Sequence, residues 1–296
     1  LPMKLVPVTI DAIHIGSPLP CPLRDAYGTL LAVQGYVFRS RQELEVMVGT
    51  RKEIFVDADH SDIFRRAFMS QLNSMVLEDR SLGQIAETQP MPFDARPAGF
   101  EVSDEPDWLD LQGQTHAILR DTRGETFLPR LYRLQAELER LTQRNPDGSL
   151  FALIHLSGTE LKHYSATHAM LVCVMCYLAA RDVLRWPGVH IKALCNAALT
   201  MNMGMTDLQD RLAVQMDPLT PEQGRRIESH AARSVDQLQQ MGVEDTLWLE
   251  AVLYHRNHTP GPLAPRSDGK RLARLIQRAD MFGARLAPRA SRAAGS

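Results

Sequence analysis

The sequence has too little of several features to belong to some large classes of protein. Its 296 residues include four cysteines, too few for a disulfide framework in a chain of this length. With 33 basic and 35 acidic residues, the formal net charge of −2 gives no overall attraction to nucleic acid or anionic lipid. The longest apolar run, residues 169–180, has 12 residues, whereas a membrane-spanning helix needs about 20. The first residues do not form a secretory signal. We therefore expect a cytoplasmic protein that binds neither membranes nor nucleic-acid polymers.

The residues that are present predict an α+β chain with a buried core. Hydrophobic residues make up 44% of the sequence, enough for one large or two modest domains. Residues 1–58 form short β-like runs around one helix, whose start is indicated by Ser40 and Glu43, a capping-box pair. This pattern predicts a small α+β N-terminal module. Residues 59–125 are rich in proline and acidic residues, which predicts a linker with partial structure.

Residues 126–150 predict an amphipathic connecting helix. Leu131, Leu134, Leu138 and Leu141 recur at the 3, 4, 3 spacing of a coiled-coil seam. Two heptads do not establish a coiled coil, so two interpretations stay open. The helix could pair two subunits in a homodimer, or it could pack within its own domain.

Residues 151–290 predict an all-α bundle whose successive helices carry histidine and aspartate side chains. His168, His230, His255 and Asp280 each belong to a different predicted helix. Buried metal sites in helical bundles are assembled from such side chains on facing helices. Cys173, Cys176 and Cys195 also lie in this region, but in apolar helical sequence, where buried free thiols are the better interpretation.

The order of these motifs resembles the HD-GYP branch of the HD-domain phosphohydrolases. The family shows Tyr-x-x-x-His, then Leu-Thr-Pro-Glu-Glu before a histidine helix, a His-His pair, and a last helix containing Ala-Asp. This chain matches these motifs in the same order along six helices, at Tyr164 and His168, 219–223, His230, His255, and Asp280. The resemblance implies an HD-type helical bundle and a bacterial protein of the cyclic di-GMP network, with metal ligands at His168, His230, His255 and Asp280.

The chain departs from this family at the positions that define its chemistry. The family's His-Asp pair falls on Met201 and Asn202, its following lysine on Met205, and the second histidine of its pair on Arg256. Residues 257–265 replace the Gly-Tyr-Pro loop. In the family the lost aspartate bridges two metal ions. Two divalent cations about 3.7 Å apart repel by roughly 18 kcal/mol at an effective dielectric constant of 20, which anionic bridges must offset.

Because Asn202 is neutral and Arg256 adds positive charge, we expect no binuclear metal centre and no catalytic residue. No cofactor is expected, although a single divalent metal remains open, with His258 as a substitute ligand. The alternative is a relic pocket in which the histidines hydrogen-bond one another and Asp280, and in which Arg256 forms an ion pair with Asp280.

These considerations predict a catalytically impaired HD-GYP-like signalling protein that binds a partner protein and cyclic di-GMP. Arg256, Lys270 and Arg274 are the candidate ligand-binding residues, because arginine pairs bidentately with phosphate oxygens and residues 266–292 are strongly basic. A metal-dependent phosphodiesterase with an unusual metal site is the alternative function. A third hypothesis is a scaffold that needs no ligand.

Overall fold

The computed structural model describes residues 5–8, 54–57, 108–121, 124–159 and 163–286, and most of residues 13–48. The chain divides into two compact units, Leu1–Asp107 and Trp108–Ser296. The predicted linker between residues 59 and 107 and the cysteine Cys21 lie outside the described residues.

In its described residues, the first unit contains a four-stranded antiparallel sheet and one helix. The elements are β1 (Leu5–Val8), β2 (Leu23–Arg24), β3 (Leu30–Ala32), α1 (Arg41–Val48) and β4 (Ile54–Asp57), and the strand order is β1-β4-β2-β3. Phe38, Leu44 and Ile54 are at most 1% exposed and form the centre of a small apolar core. The predicted α+β module is therefore confirmed, and its short strand β2 is an addition to the prediction.

The start of α1 differs in detail from the predicted capping box. Ser40 Oγ accepts a hydrogen bond from the Glu43 backbone N–H, as expected for a helix cap. The Glu43 carboxylate accepts from the Arg39 backbone N–H and from the Tyr36 hydroxyl, so it closes the preceding turn instead of reaching back to the capping residue.

The second unit is entirely helical in its described part. Its elements are α2 (Trp108–Arg120), α3 (Gly124–Arg144), α4 (Pro146–Thr159), α5 (Tyr164–Leu178), α6 (Gly188–Thr200), α7 (Thr206–Val214), α8 (Pro221–Gln240), α9 (Thr246–Tyr254) and α10 (Asp268–Leu286). A π-helical turn, Ala179–Val183, extends α5, and a 3₁₀ turn, Met203–Met205, precedes α7. The six helices predicted beyond residue 160 all occur.

One helix of this unit lies in the predicted linker, and another crosses the predicted boundary at residue 150. Helix α2 buries Trp108, Leu111 and Ile118, so part of the predicted linker belongs to the core. At Asn145-Pro146, one helix ends and the next begins, because the Asn145 side chain caps α4 by accepting from the Gly148 N–H at 2.8 Å.

The leucines of α3 face the interior of the same chain. Leu131, Leu134 and Leu138 are at most 1% exposed, and Leu141 is half-buried. This geometry agrees with the interpretation that the helix packs within its own domain. A homodimer through these leucines therefore has no exposed seam on the single chain and stays a prediction without structural support.

Helix α5 is the central helix of the unit, and nearly all of it is buried. The stretch Tyr164–Val183 has the length and composition of a membrane-spanning helix, yet 67% of the most apolar window lies inside the protein. It also carries Cys173 and Cys176, which are at most 2% exposed, as is Cys195 on α6. The buried helix and the three buried free thiols agree with the prediction.

Candidate functional site

The structure brings the four predicted metal-ligand residues together as two pairs of side chains in close contact. His168 lies on α5, His230 on α8, His255 immediately after α9, and Asp280 on α10. Each histidine is at most 2% exposed. Four elements that are distant in sequence therefore meet in the interior of the helical unit.

The first pair joins α5 to α10. The His168 Nε2–H donates to Asp280 Oδ1 at 2.7 Å, with side-chain exposures of 3% and 18%. Burial by itself would raise the pKa of Asp280, but the hydrogen bond and charge of His168 outweigh it and hold this pKa below its ordinary value. Gly283 lies beside this pair, since a Cβ atom there would be in van der Waals contact with His168 Cε1 at 3.4 Å.

The second pair joins α8 to the end of α9. His230 Nε2 and His255 Nε2 are 3.0 Å apart. Each ring also uses its other nitrogen, because His230 Nδ1 contacts the Ile227 carbonyl and His255 Nδ1 contacts the Val252 carbonyl at 2.7 Å. A carbonyl oxygen only accepts hydrogen bonds, so both Nδ1 atoms carry the proton.

This arrangement has a chemical consequence for the two facing nitrogens. In neutral imidazoles with protonated Nδ1 atoms, both Nε2 atoms of His230 and His255 present lone pairs to each other. Such a contact is favourable only when a proton or a cation lies between the nitrogens. Burial lowers the pKa of His230, and burial together with the charge of His230 lowers the pKa of His255 to about 4. A metal cation is the alternative that suits two converging imidazole nitrogens.

The two pairs are close enough to influence each other electrostatically. The charge of Asp280 acts on His230 and on His255, where it opposes the effect of burial on their pKa values. Within the described ranges, however, no three His, Cys, Asp or Glu side chains are grouped at metal-binding spacing. The four residues thus fit a cation in part: two imidazoles converge, and one oxygen of Asp280 is held by His168.

Met201 and Asn202, two positions at which the chain departs from the HD-GYP motifs, lie in the turn after α6. The Met201 side chain is 1% exposed, whereas Asn202 is half-buried. Gly204 packs directly on α8, since a Cβ atom there would lie 2.6 Å from the His230 carbonyl oxygen. The turn carrying the amide of Asn202 is therefore fixed against the helix that carries His230.

Ser234 positions this turn and was not singled out from the sequence. Its hydroxyl donates to the Met201 carbonyl and accepts from the Gly204 N–H, each at 2.9 Å. Ser234 lies four residues after His230 on α8, so the two side chains share one helix face. That spacing was the signal available in the sequence.

Arg256 does not form the ion pair predicted for the relic pocket. In the described part of the chain, Asp280 pairs with His168 and has no ion pair with Arg256. The Arg256 side chain is exposed, although its charge still lowers the pKa of His230. The Arg256 side chain points to solvent, whereas the buried imidazole of His168 is within hydrogen-bond distance of Asp280.

The other two candidate ligand-binding residues, Lys270 and Arg274, lie before Asp280 on α10. Arg274 and Lys270 are about 9 and 15 Å from Asp280 along the axis of α10, at about 1.5 Å per residue. Lys270 Nζ lies 4.6 Å from the centre of the Tyr254 ring, and Arg274 donates to Gln277 Oε1 at 2.6 Å. His258, the proposed substitute ligand, is exposed and its Nδ1 lies 3.3 Å from Gln277 Nε2.

No protein-family model and no curated protein matches this sequence. One solved structure does match, described as "Bd1817, a HDG"Y"P protein from Bdellovibrio bacteriovorus". The two chains are 11% identical and superpose with a TM-score of 0.44, over 94% of this chain and 86% of the other. No family is assigned on this similarity.

Proposed function

We propose that the helical unit is an HD-type domain that has lost binuclear metal chemistry and acts by binding. The proposal rests on the neutral amide of Asn202, which stands where the resemblance to the HD-GYP motifs implies a bridging carboxylate. Two adjacent divalent cations require anionic ligands between them. Near the histidines, the carboxylate of Asp280 is hydrogen-bonded to His168.

The retained interior supports a role that depends on the fold and not on turnover. His168, His230, His255 and Asp280 still link α5, α8, α9 and α10, and every one of them has a hydrogen-bond partner. Without two metal ions, no water is activated between them for attack on a phosphodiester. We propose a signalling protein as the partner, with cyclic di-GMP as the small-molecule ligand.

A single-metal phosphodiesterase is the second candidate function, and the geometry of one pair favours it. The facing Nε2 atoms of His230 and His255 are arranged as two ligands of a transition-metal cation. His168 and Asp280 would complete the site if their mutual hydrogen bond opened. A bound metal would act as a Lewis acid on a phosphoryl oxygen.

One experiment separates these functions. The purified chain is titrated with cyclic di-GMP by calorimetry, and the same protein is incubated with the nucleotide and Mn²⁺ or Fe²⁺ while linear product is measured. Binding without turnover supports the proposal. Turnover that is lost in His255→Gln supports the single-metal enzyme instead. The absence of both overturns the nucleotide role and leaves the scaffold.

A further inference from the structure

The outer face of α10 combines an exposed aromatic ring with arginines. We define this face by Arg278, Met281, Phe282 and Arg285. Phe282 is 54% exposed and Met281 is 42% exposed, and both arginines are exposed as well. Large apolar side chains of this kind are normally turned inward on an amphipathic helix, so their exposure beside arginines indicates a contact surface.

Helix geometry places the two arginines on either side of the ring. Arg278 precedes Phe282 by four residues and Arg285 follows it by three, so each lies about one helical turn away on the same face. Asp280 is about 160° around the helix from Arg278 and from Phe282, at about 100° per residue. Its carboxylate is bonded to His168 in the interior, so this face is separate from the candidate site.

The charge of this face is entirely positive. Asp280 is the one acidic residue between 269 and 286 in the sequence, and it is turned inward. Among the residues that the structure describes, Arg278 and Arg285 take part in no ion pair or side-chain hydrogen bond. In contrast, Lys270 covers the Tyr254 ring and Arg274 donates to Gln277.

A purine nucleotide has the chemistry that this face complements. Aromatic rings stack on nucleic-acid bases, and guanidinium groups bind phosphates bidentately or pair with the N7 and O6 atoms of guanine. Phe282, with a guanidinium group one helical turn away on each side, therefore places a stacking surface between two phosphate-binding groups. Two arginines also match the two negative charges of a cyclic dinucleotide.

We propose that cyclic di-GMP binds on the outer face of α10, with one guanine stacked on Phe282 and phosphodiester groups held by Arg278 and Arg285. This inference rests on the proposed nucleotide-binding function and locates its ligand. It moves the main phosphate contacts away from Lys270 and Arg274, which have intramolecular partners.

The test is calorimetric titration of the full chain and its variants with cyclic di-GMP. Phe282→Ala, Arg278→Ala and Arg285→Ala each weaken binding about 10-fold, because a stacked base or a charged phosphate contact is lost. Phe282→Trp retains binding, whereas Phe282→Leu loses it, since leucine keeps apolar area without a stacking surface. Arg225→Ala, an exposed arginine on α8, is the matched control and leaves binding unchanged.

The outcomes distinguish the location of the site from the function itself. If the unaltered chain does not bind cyclic di-GMP, the proposed nucleotide function fails and this inference fails with it. If the chain binds but the variants of the outer face bind equally well, the function stands and the location is wrong. If Phe282→Leu binds as well as the unaltered chain, base stacking is refuted. If the variants lose only binding to phosphatidylglycerol vesicles, the face contacts a lipid surface and the proposal is overturned.

Discussion

His230 and His255 face each other through their Nε2 atoms at 3.0 Å, while the Nδ1 atom of each ring contacts a backbone carbonyl. The two carbonyls, of Ile227 and Val252, lie three residues before the histidines on their own helices. The backbone carbonyl within each helix therefore determines that Nδ1 carries the proton. The packing of α8 against the end of α9 brings the two Nε2 atoms together. We expect this pair to link the stability of the unit to pH.

The first prediction concerns pH. The folded-state pKa of His255 is lowered from 6.5 to about 4, so between these values the unfolded chain binds more protons than the folded one. The free energy of unfolding should therefore rise as the pH increases from 4 to 6.5, by at most about 3 kcal/mol from His255, and then level off. Urea denaturation in the presence of EDTA measures this dependence.

The variant His255→Gln provides the control for that measurement. Glutamine does not titrate, so the rise between pH 4 and 6.5 should become smaller than in the unaltered chain. Asp280 cannot account for the rise, because a carboxyl group with a lowered pKa loses its contribution only at lower pH. An unfolding free energy that is constant over this range would contradict the prediction.

The second prediction concerns the pair that joins α5 to α10. Asp280→Ala removes the acceptor of the buried His168 Nε2–H, so the variant should lose about 1–3 kcal/mol of stability. Chemical denaturation at pH 7 measures the loss. Asp182→Ala breaks an exposed pair with Arg181 and should change stability little. Equal losses of stability in the two variants would show that the buried hydrogen bond stabilises the fold no more than the exposed ion pair does.

The third prediction concerns the close approach of Gly204 to α8. In Gly204→Ala the new methyl group would lie 2.6 Å from the His230 carbonyl oxygen and 2.9 Å from Arg233 Cβ, so the backbone must move. We expect a loss of about 1–3 kcal/mol, as for other overpacked sites.

Gly113→Ala is the matched control for Gly204→Ala. Nothing lies within 4 Å of the added Cβ in the middle of α2, and alanine favours helix over glycine by about 1 kcal/mol. The thermal midpoints of the two variants should therefore shift in opposite directions. A Gly204→Ala variant as stable as the unaltered chain would indicate that the turn after α6 is loosely held.

The fourth prediction concerns the proposed loss of binuclear metal binding. Met201→His, Asn202→Asp and Arg256→His together add two imidazoles and a carboxylate to the helical unit and remove one positive charge. The triple variant should bind more Mn²⁺ per chain than the unaltered protein, because a carboxylate can then bridge two cations. Elemental analysis after gel filtration measures the ratio. Two equivalents of metal in the unaltered chain would refute the role assigned to Asn202.

The sequence predicted those elements whose signals are local. At the start of α8, Thr220 and Gln223 have the residue types and spacing of a capping box, and the structure contains both of its hydrogen bonds. Helix α4 crosses the predicted boundary at residue 150, because the proline of Asn145-Pro146 starts a new helix at its first position. Helix α2 was missed because it follows a segment rich in proline and acidic residues.

The candidate site could be predicted only as a set of residues. Motif order named His168, His230, His255 and Asp280, but it could not indicate which pairs would form. The directions in which side chains leave their helices determine that Asp280 contacts His168 and that Arg256 is exposed. Motif order in the sequence does not contain these directions. Ser234 escaped notice because its partners are backbone atoms of a turn 30 and 33 residues away.

The three cysteines inside the helical core make the rate of thiol modification a measure of how often that core opens. Burial raises the pKa of Cys176, and contact with Cys173 together with burial raises the pKa of Cys195, so the nucleophilic thiolate is scarce in the closed fold. An alkylating reagent must wait for α5 and α6 to separate before it can react. In a Cys21→Ser background, the rate of thiol modification would therefore report how often the core opens, and ligands that hold the helices together would slow it.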